Sequence, residues 1–185
     1  MKTKQPPKIH AVYEFFLKEG FEHTVEEVAE AVQVTPKTLF NRYKTKSKME
    51  TAARKYWHRL LYRRLMEKTS FCNNALEKMV LLICETSYCM KQESHYFEKE
   101  VEGFMKAEEN AFIISMNQFL KEGMDADLFN KSINVKEYIY FFMHNLFTYF
   151  PQHFNADNFY HILSPVFLPE THIIYNQLDI NQIIN

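Results

Sequence analysis

The sequence predicts an all-α protein in which an N-terminal three-helix head is joined by a long helix to a helical C-terminal domain. Three observations favour this fold class. Apolar residues recur at the three- and four-residue spacing of amphipathic helices along most of the chain. Most of the three glycines and six prolines fall where these patterns begin or end. Between residues 24 and 46, two short helical patterns are separated only by a tight turn.

The stretch from residue 24 to 46 is the most informative part of the chain. Thr24 is a candidate N-cap for its first helix, and Glu27, three residues on, completes a capping box. The second helix begins at Thr35-Pro36, a hydroxyl cap followed by proline at the first helical position. Leu39 and Tyr43 can face inward. The residues left outside are Lys37, Thr38, Phe40, Asn41 and Arg42. This pattern is typical of a helix-turn-helix that places its second helix in the major groove of DNA.

The helices on either side of this motif complete the head and link it to the rest of the chain. A first helix is predicted from about residue 7 to 19, because its apolar residues form one amphipathic stripe. Ser47 is the candidate cap of a long helix from about residue 48 to 68. A helix of about 20 residues spans roughly 30 Å. The sequence therefore predicts a head domain of residues 1–47 rigidly connected to a body domain of residues 48–185.

The body is predicted to consist of four helical segments. They run from about residue 75 to 90, 94 to 122, 135 to 150 and 157 to 168, and Gly103 is a candidate point at which the second segment divides into two helices. Asn74 and Asn134 are candidate caps of the first and third segments. Gly123 closes the second segment, and Pro165 interrupts the fourth. Residues 170–185 form an extension to which the sequence assigns no role.

Charge is distributed unevenly along the chain, although the formal net charge is −1. Residues 1–66 hold 14 lysines and arginines against 7 acidic residues, a net charge of +7. Residues 67–185 hold 8 against 16, a net charge of −8. A basic head joined to an acidic body is typical of a protein whose head binds nucleic acid. Charges that merely cover solvated helix faces would give the same distribution, so the helix-turn-helix pattern decides between the two interpretations.

Composition argues against several other classes of protein. The three cysteines have no paired spacing, no signal-peptide pattern precedes the first helix, and the most apolar run is far shorter than the roughly 20 residues of a membrane span. We therefore predict a cytoplasmic protein with reduced thiols and no membrane partner. The sequence holds no phosphate-binding glycine loop, nucleophile motif or metal-ligand spacing. No catalytic residue, metal or cofactor is expected, and the chain is not predicted to be an enzyme.

A string of residues in the first third of the chain matches a known pattern in both type and spacing. The string consists of Gly20-Phe21, Thr24-Val25, Val28-Ala29, Val34-Thr35, Thr38-Leu39-Phe40, Tyr43 and Lys46. It resembles the DNA-binding domain of the TetR/AcrR family of bacterial transcriptional regulators. Two positions depart from the family pattern, because Gln33 and Lys37 stand where that family commonly has glycine.

The resemblance implies which residues of the head contact DNA. Thr24 and Lys46 would bind phosphates on either side of the groove. Tyr43 would be a core aromatic residue whose hydroxyl also reaches the DNA backbone. The residues facing the groove would be Thr35, Lys37, Thr38, Phe40, Asn41 and Arg42. Among these, Asn41 and Arg42 have side chains suited to reading adenine and guanine edges.

The resemblance also implies a homodimer and a small-molecule effector for the body. Apolar side chains that could line an effector pocket are Met90, Tyr96, Phe104, Met105, Met116, Phe142 and Met143, although ordinary core packing is the favoured interpretation for each of them taken singly. Apolar residues assigned to the dimer interface are Tyr140, Phe141, Tyr149, Phe159, Leu163 and Phe167. The third body helix is apolar nearly all round, and such a helix is normally buried on more than one side.

Two functions from different classes fit these patterns. The first is a TetR-like regulator, a repressor that binds double-stranded operator DNA as a homodimer and is released by a small hydrophobic effector. The second is a helical small-molecule-binding or protein-interaction module whose head no longer reads DNA. The departures at Gln33 and Lys37 are the only features that favour the second function.

Overall fold

The computed structural model describes residues 9–92, 111–149 and 156–179. In these ranges the chain forms nine α-helices and one short 3₁₀ helix, Ser164–Val166. The helices are α1 (Ile9–Glu19), α2 (Val25–Ala31), α3 (Pro36–Tyr43), α4 (Lys46–Thr69), α5 (Ala75–Gln92), α6 (Ala111–Asp125), α7 (Val135–Tyr149), α8 (Ala156–Leu163) and α9 (Pro169–Asn176). The all-α prediction is therefore confirmed for the part of the chain that the structure describes.

The described helices form two compact units. The first contains residues 9–61, and the second contains residues 62–92, 111–149 and 156–179. Helix α4 supplies residues to both units, because it continues without a break from Lys46 to Thr69. The domain boundary predicted after residue 47 stays a prediction, although the turns of α4 up to Leu61 group with α1 to α3.

The first unit has an apolar core to which each of its four helices contributes. Val12, Phe16, Val28, Leu39 and Trp57 are all nearly inaccessible to solvent. The rings of Phe16 and Phe21 stack with their centroids 4.6 Å apart, and the Arg54 guanidinium lies 4.1 Å from the Phe21 ring. This core holds α2 and α3 in the orientation that leaves the other face of α3 exposed.

The core of the second unit lies among the four helices α5, α6, α7 and α8. Helices α5 and α6 pack side by side, with the Lys78 Nζ 2.6 Å from Glu122 Oε2. The sequence predictions for the starts of α5 and α7 are confirmed. Asn74 Oδ1 accepts a hydrogen bond from the Glu77 backbone N–H at 3.0 Å, and Asn134 Oδ1 accepts one from the Glu137 N–H at 3.3 Å. No helix in the described residues has the length and hydropathy needed to cross a membrane.

The cap of α4 was predicted at the wrong hydroxyl. Ser47 lies inside the first turn, whereas Thr45 Oγ1 accepts a hydrogen bond from the Lys48 backbone N–H at 3.1 Å. Lys44 has a φ of 69°, which reverses the chain at the end of α3 and brings Thr45 into the capping position. The helix therefore starts two residues earlier than predicted.

Gly123 does not end α6, which continues to Asp125. Instead, it is the point at which the chain returns onto the helix. The Gly123 carbonyl accepts hydrogen bonds from the N–H groups of Leu128 and Phe129, and a Cβ on Gly123 would lie 2.0 Å from the Phe129 ring. Its function in the fold is to admit this ring, not to stop the helix.

The C-terminal segment departs from the predicted single helix. α8 ends at Leu163, Ser164–Val166 forms the 3₁₀ helix that contains Pro165, and a further helix, α9, follows. The break at Pro165 was predicted, but α9 was not. Residues 166–168 pair with residues 128–130 through the Asn130 N–H to Val166 O bond (2.8 Å) and the Leu168 N–H to Leu128 O bond (3.4 Å). We call this pairing the clasp.

Candidate nucleic-acid interface

The two helices of the motif are capped as the sequence predicts. Thr24 Oγ1 accepts a hydrogen bond from the Glu27 backbone N–H at 3.3 Å, and the Glu27 carboxylate binds back to the Thr24 N–H at 2.7 Å. At α3, Thr35 Oγ1 accepts from the Thr38 N–H at 3.2 Å, with Pro36 in the first turn. The capping box and the Thr35-Pro36 start are both confirmed.

The turn between α2 and α3 forms in spite of the missing glycine. The N–H of Val34 donates to the Ala29 carbonyl at 2.9 Å, and the N–H of Gln33 donates to the Glu30 carbonyl at 3.0 Å. This pair of bonds is the Schellman arrangement, which needs a left-handed residue after the helix. Gln33 takes that position with a φ of 58°. A non-glycine residue pays a steric cost there, of order 1 kcal/mol.

Helix α3 buries one edge and exposes the rest. Leu39 and Tyr43 are buried in the first unit, as predicted. The residues predicted to face outward are accessible to solvent. Thr38 is partly buried, and the others are exposed: Lys37, Phe40, Asn41 and Arg42. Phe40 is 61% exposed, which is unusual for so large an apolar side chain. Thr35, at the start of the helix, is exposed as well.

Tyr43 differs from the other residues assigned to DNA contact because it is buried. Its hydroxyl has no hydrogen-bond partner in the described part of the chain, and burial raises the pKa of the phenol. The core position expected for Tyr43 is observed. Its contact with DNA stays a prediction, which would require the hydroxyl to become accessible.

The two residues assigned to phosphate binding have different surroundings. Thr24 is exposed, but its N–H and its hydroxyl both donate to Glu27, so a negative charge already occupies the N-terminus of α2. Lys46 lies in the first turn of α4, with its Nζ 3.5 Å from Glu50 Oε1. Both side chains are only partly buried. A solvent-accessible pair of this kind is worth about 1 kcal/mol or less, and the lysine can exchange Glu50 for another anion.

Two further lysines beside Lys46 are accessible, and the sequence pattern did not predict a site role for them. Lys44 and Lys48 are exposed and form no ion pair with any residue that the structure describes. The first turn of α4 contains no acidic residue. The signal was present in the sequence as Lys-Thr-Lys-Ser-Lys at residues 44–48, in which every second residue is a cation.

The residues assigned to an effector pocket are only partly described. Met116, Phe142 and Met143 are buried in the second unit, with 1% exposure or less. The side chain of Met90 and the whole of Tyr96, Phe104 and Met105 lie outside the described residues. The assignment of a pocket to these side chains stays a prediction.

The residues assigned to the dimer interface fall into two groups. Tyr140 is 65% exposed and Phe141 is half-buried, so both can meet a partner. Phe159, Leu163 and Phe167 are instead buried in the core of the second unit, where the chain turns at Pro165 between α8 and the clasp. They are not available to a second subunit in this arrangement. The Tyr149 side chain lies outside the described residues.

The second unit also contains a cluster of charged residues around a buried carboxylate. Glu85 on α5 is 5% exposed and forms ion pairs with two residues of α4, Lys68 and Arg64, the latter at 3.3 Å from Nε. The Arg64 guanidinium also donates to Cys89 Sγ at 2.7 Å. These pairs neutralise the buried charge and fix α5 against the last turns of α4. Within the described ranges, no group of three or more His, Cys, Asp or Glu residues is placed to hold a metal ion.

A capped helix-turn-helix with an exposed second helix, followed through one long helix by a separate helical unit, is the architecture of TetR-type transcriptional regulators. No protein-family profile and no curated protein matches the sequence. Solved structures do match. The Bacillus subtilis transcriptional regulator FadR, determined with stearoyl-CoA, superposes with a TM-score of 0.59 at 13% identity, over 96% of each chain.

Two other solved structures agree with this result. The ketosteroid transcriptional regulator KstR2 of Mycobacterium tuberculosis has a TM-score of 0.55 at 12% identity, covering 86% of this chain and 93% of its own. A Rhodococcus protein assigned to the TetR family has a TM-score of 0.50 at 14% identity, over 96% of each chain. The chain therefore has the fold of TetR-type regulators, and the predicted resemblance is confirmed at the level of the fold.

Proposed function

We propose that this protein is a DNA-binding transcriptional regulator of the TetR type. The observation that carries the proposal is the exposed face of α3, on which polar and cationic side chains surround a stable, capped helix. The basic residues at 44–48 extend this face to the start of α4. Positive charge beside a protruding helix suits phosphates on both sides of a major groove.

Homodimerisation forms part of the proposal. A single helix-turn-helix reads only a few base pairs, whereas two heads can read half-sites about one helical turn, roughly 34 Å, apart. The exposed ring of Tyr140 and the half-buried ring of Phe141, both on α7, supply apolar area for a contact between subunits. The acidic body would also discourage its own approach to DNA, which leaves the basic head to make the contact.

Regulation is proposed to occur by release of a repressor from its operator when a small apolar effector binds the second unit. The buried side chains of that unit are mostly large and apolar. Two of the similar structures are named for apolar chemistry, one with stearoyl-CoA and one as a ketosteroid regulator. An effector that shifted α4 would change the spacing of two heads and thereby weaken binding to paired half-sites.

DNA binding can be tested by titrating the purified protein against duplexes from the region upstream of its own gene at several salt concentrations. We expect sequence-dependent affinity that falls steeply as salt rises, because each neutralised phosphate adds to the salt dependence. Arg42→Ala should weaken the binding, and Lys131→Ala in the second unit should leave it unchanged. Uniformly weak, sequence-independent binding would favour the interaction-module alternative.

Effector release can be tested on the protein–DNA complex with stearoyl-CoA as the first probe and coenzyme A as its matched control. Dissociation of the complex by the acylated compound alone would support an apolar effector. If a panel of acyl-CoA, fatty acid and sterol ligands left the complex intact, regulation by apolar effectors would be refuted while DNA binding stood.

A further inference from the structure

The groove-facing side of α3 is not uniform, and its geometry distinguishes the residues that could read bases. Successive helix residues are rotated by about 100°. The buried edge of α3 is defined by Leu39 and Tyr43. Around the helix axis, Asn41 therefore lies about 180° from the midpoint between Leu39 and Tyr43, directly opposite the buried edge. Phe40 and Arg42 lie on the flanks, at about 100° to Asn41 on either side.

Most of the other candidate groups on α3 are already engaged within the protein. The hydroxyls of Thr35 and Thr38 are 2.9 Å apart, and Thr35 Oγ1 also caps the helix. The Arg42 guanidinium lies 5.5 Å from the Tyr43 ring centroid, within the range of a cation–π interaction with the next residue of its own helix.

Asn41 is different, because its side-chain amide contacts no partner among the described residues and is exposed. Lys37, one turn earlier, is exposed on the same side and also forms no ion pair within the described ranges. The centre of the exposed face thus presents one unused amide and one unused cation. An amide offers a donor and an acceptor together, and the adenine edge in the major groove requires that combination at N7 and N6.

We infer that Asn41 is the main base-reading residue of this protein and that it recognises an adenine in each operator half-site. Arg42, on the flank, contacts the phosphate backbone and adds affinity without selecting a base. The assignment rests on the proposed function, and it reduces the two base readers expected from side-chain chemistry to one. Asn41 is a specificity-determining residue, and Lys37 beside it supplies charge that holds the amide in the groove.

The first step of the test is a selection by the full-length wild-type protein from duplexes with a randomised core. This selection identifies the preferred site, and an adenine at one fixed position of each half-site is expected. Each adenine of the selected site is then replaced singly by 7-deazaadenine, which pairs normally but lacks the N7 acceptor. At the position read by Asn41, this replacement should weaken wild-type binding by about 5- to 150-fold, the range for a bidentate base contact.

Two variants locate the contact on the protein. Asn41→Ala should bind the natural and the 7-deazaadenine duplex equally, within about twofold, because the interacting amide is gone. Arg42→Ala should lose affinity for all duplexes by a similar factor and should keep the wild-type sensitivity to 7-deazaadenine. The exposed Asn41 side chain forms no hydrogen bond within the described residues, so its removal should leave the thermal unfolding midpoint unchanged.

The outcomes separate this assignment from the function on which it rests. If Asn41→Ala kept the full penalty for 7-deazaadenine, or if Arg42→Ala abolished it, the assignment to Asn41 would be wrong while the protein remained a sequence-specific regulator. If the selection gave no preferred sequence and binding stayed weak and uniform, the proposed function itself would be refuted, and the assignment with it.

Discussion

The Glu27 carboxylate accepts both donors of Thr24, the backbone N–H at 2.7 Å and the hydroxyl at 3.0 Å. Glu26 adds a second negative charge to the same helical turn. The N-terminus of α2 is therefore stabilised internally by a carboxylate, in a position where TetR-like recognition implies a DNA phosphate. Stability of the helix and affinity for DNA are in competition at this point.

Glu27→Gln should raise affinity for DNA by about two- to tenfold at 0.1 M salt, because it removes a negative charge next to a phosphate while an amide can still close the capping box. The gain should shrink at 0.5 M salt as screening increases. Fluorescence anisotropy with the selected duplex measures both values. Glu30→Gln, at the other end of α2, is the matched control and should change affinity less. Equal effects of the two substitutions would contradict a local competition at Thr24.

The same carboxylate makes the stability of the head depend on acid pH. The Thr24 backbone N–H, followed by its hydroxyl, holds the pKa of Glu27 below its ordinary value of 4.5. A lowered pKa in the folded state stabilises the fold above the unfolded pKa, and this stabilisation is lost as pH falls through the folded value. Wild type should therefore lose more stability than Glu27→Gln between about pH 5 and pH 3. Chemical unfolding at each pH tests this, and parallel losses in the two proteins would contradict it.

The buried hydroxyl of Tyr43 should cost stability. Because it has no hydrogen-bond partner in the described residues, Tyr43→Phe should raise the free energy of unfolding by about 1–2 kcal/mol. Tyr138→Phe is a control of opposite sign, since the Tyr138 hydroxyl donates to the Ile162 carbonyl at 3.0 Å. That substitution should lower stability by about 1 kcal/mol. If Tyr43→Phe instead destabilised the protein, the hydroxyl would have a partner in solution.

Gly123→Ala should destabilise the second unit, although alanine is ordinarily the better helix former. The new Cβ would overlap the Phe129 ring, and overpacking of this kind costs about 1–3 kcal/mol. Phe129→Leu in the same chain should relieve part of the overlap, so the two substitutions should be less damaging together than their separate effects predict. Thermal unfolding of the four proteins gives the coupling, and strict additivity would show that the ring moves aside freely.

Removal of the carboxylate at Glu85 should be more harmful than the loss of an ordinary surface charge. Glu85→Ala leaves Arg64 and Lys68 without their shared partner and opens space beside α5, so we expect a loss of about 1–3 kcal/mol. Lys131→Ala breaks the exposed Lys131–Asp127 pair and should cost less than about 0.5 kcal/mol. Urea unfolding followed by circular dichroism distinguishes the two, and similar small losses would indicate that solvent replaces the Glu85 contacts.

The sequence predicted best where a local interaction determines the structure. The capping box at Thr24 and the start of α3 at Thr35 depend on residues three apart, so both were visible in the sequence. Thr45 rather than Ser47 caps α4 because the chain reverses at Lys44, which has a φ of 69°. The residue type at this position does not predict that conformation. The turn at Gln33 shows that the Schellman hydrogen bonds can form with a non-glycine residue in the left-handed conformation.

The candidate site was predicted less completely because exposure and occupancy depend on the whole unit. The outward residues of α3 followed from helical spacing. Nothing local indicated that the Tyr43 hydroxyl is buried without a hydrogen-bond partner in the described residues. The burial of Phe167 likewise depends on residues 128–130, more than 30 positions away, because its ring stacks on that of Phe129.

The clasp has a consequence for the order in which the chain folds. Its hydrogen bonds join segments separated by α7 and α8, and the near-parallel rings of Phe129 and Phe167, 6.4 Å apart, lie at its centre. Contacts between distant segments repay their loop-closure entropy only after the helices between them have packed. The N–H groups of Asn130 and Leu168 should thus gain protection together and late during refolding. The last helix would then dock onto a unit that is already formed, which makes the C-terminal end the first part to detach under mild denaturation.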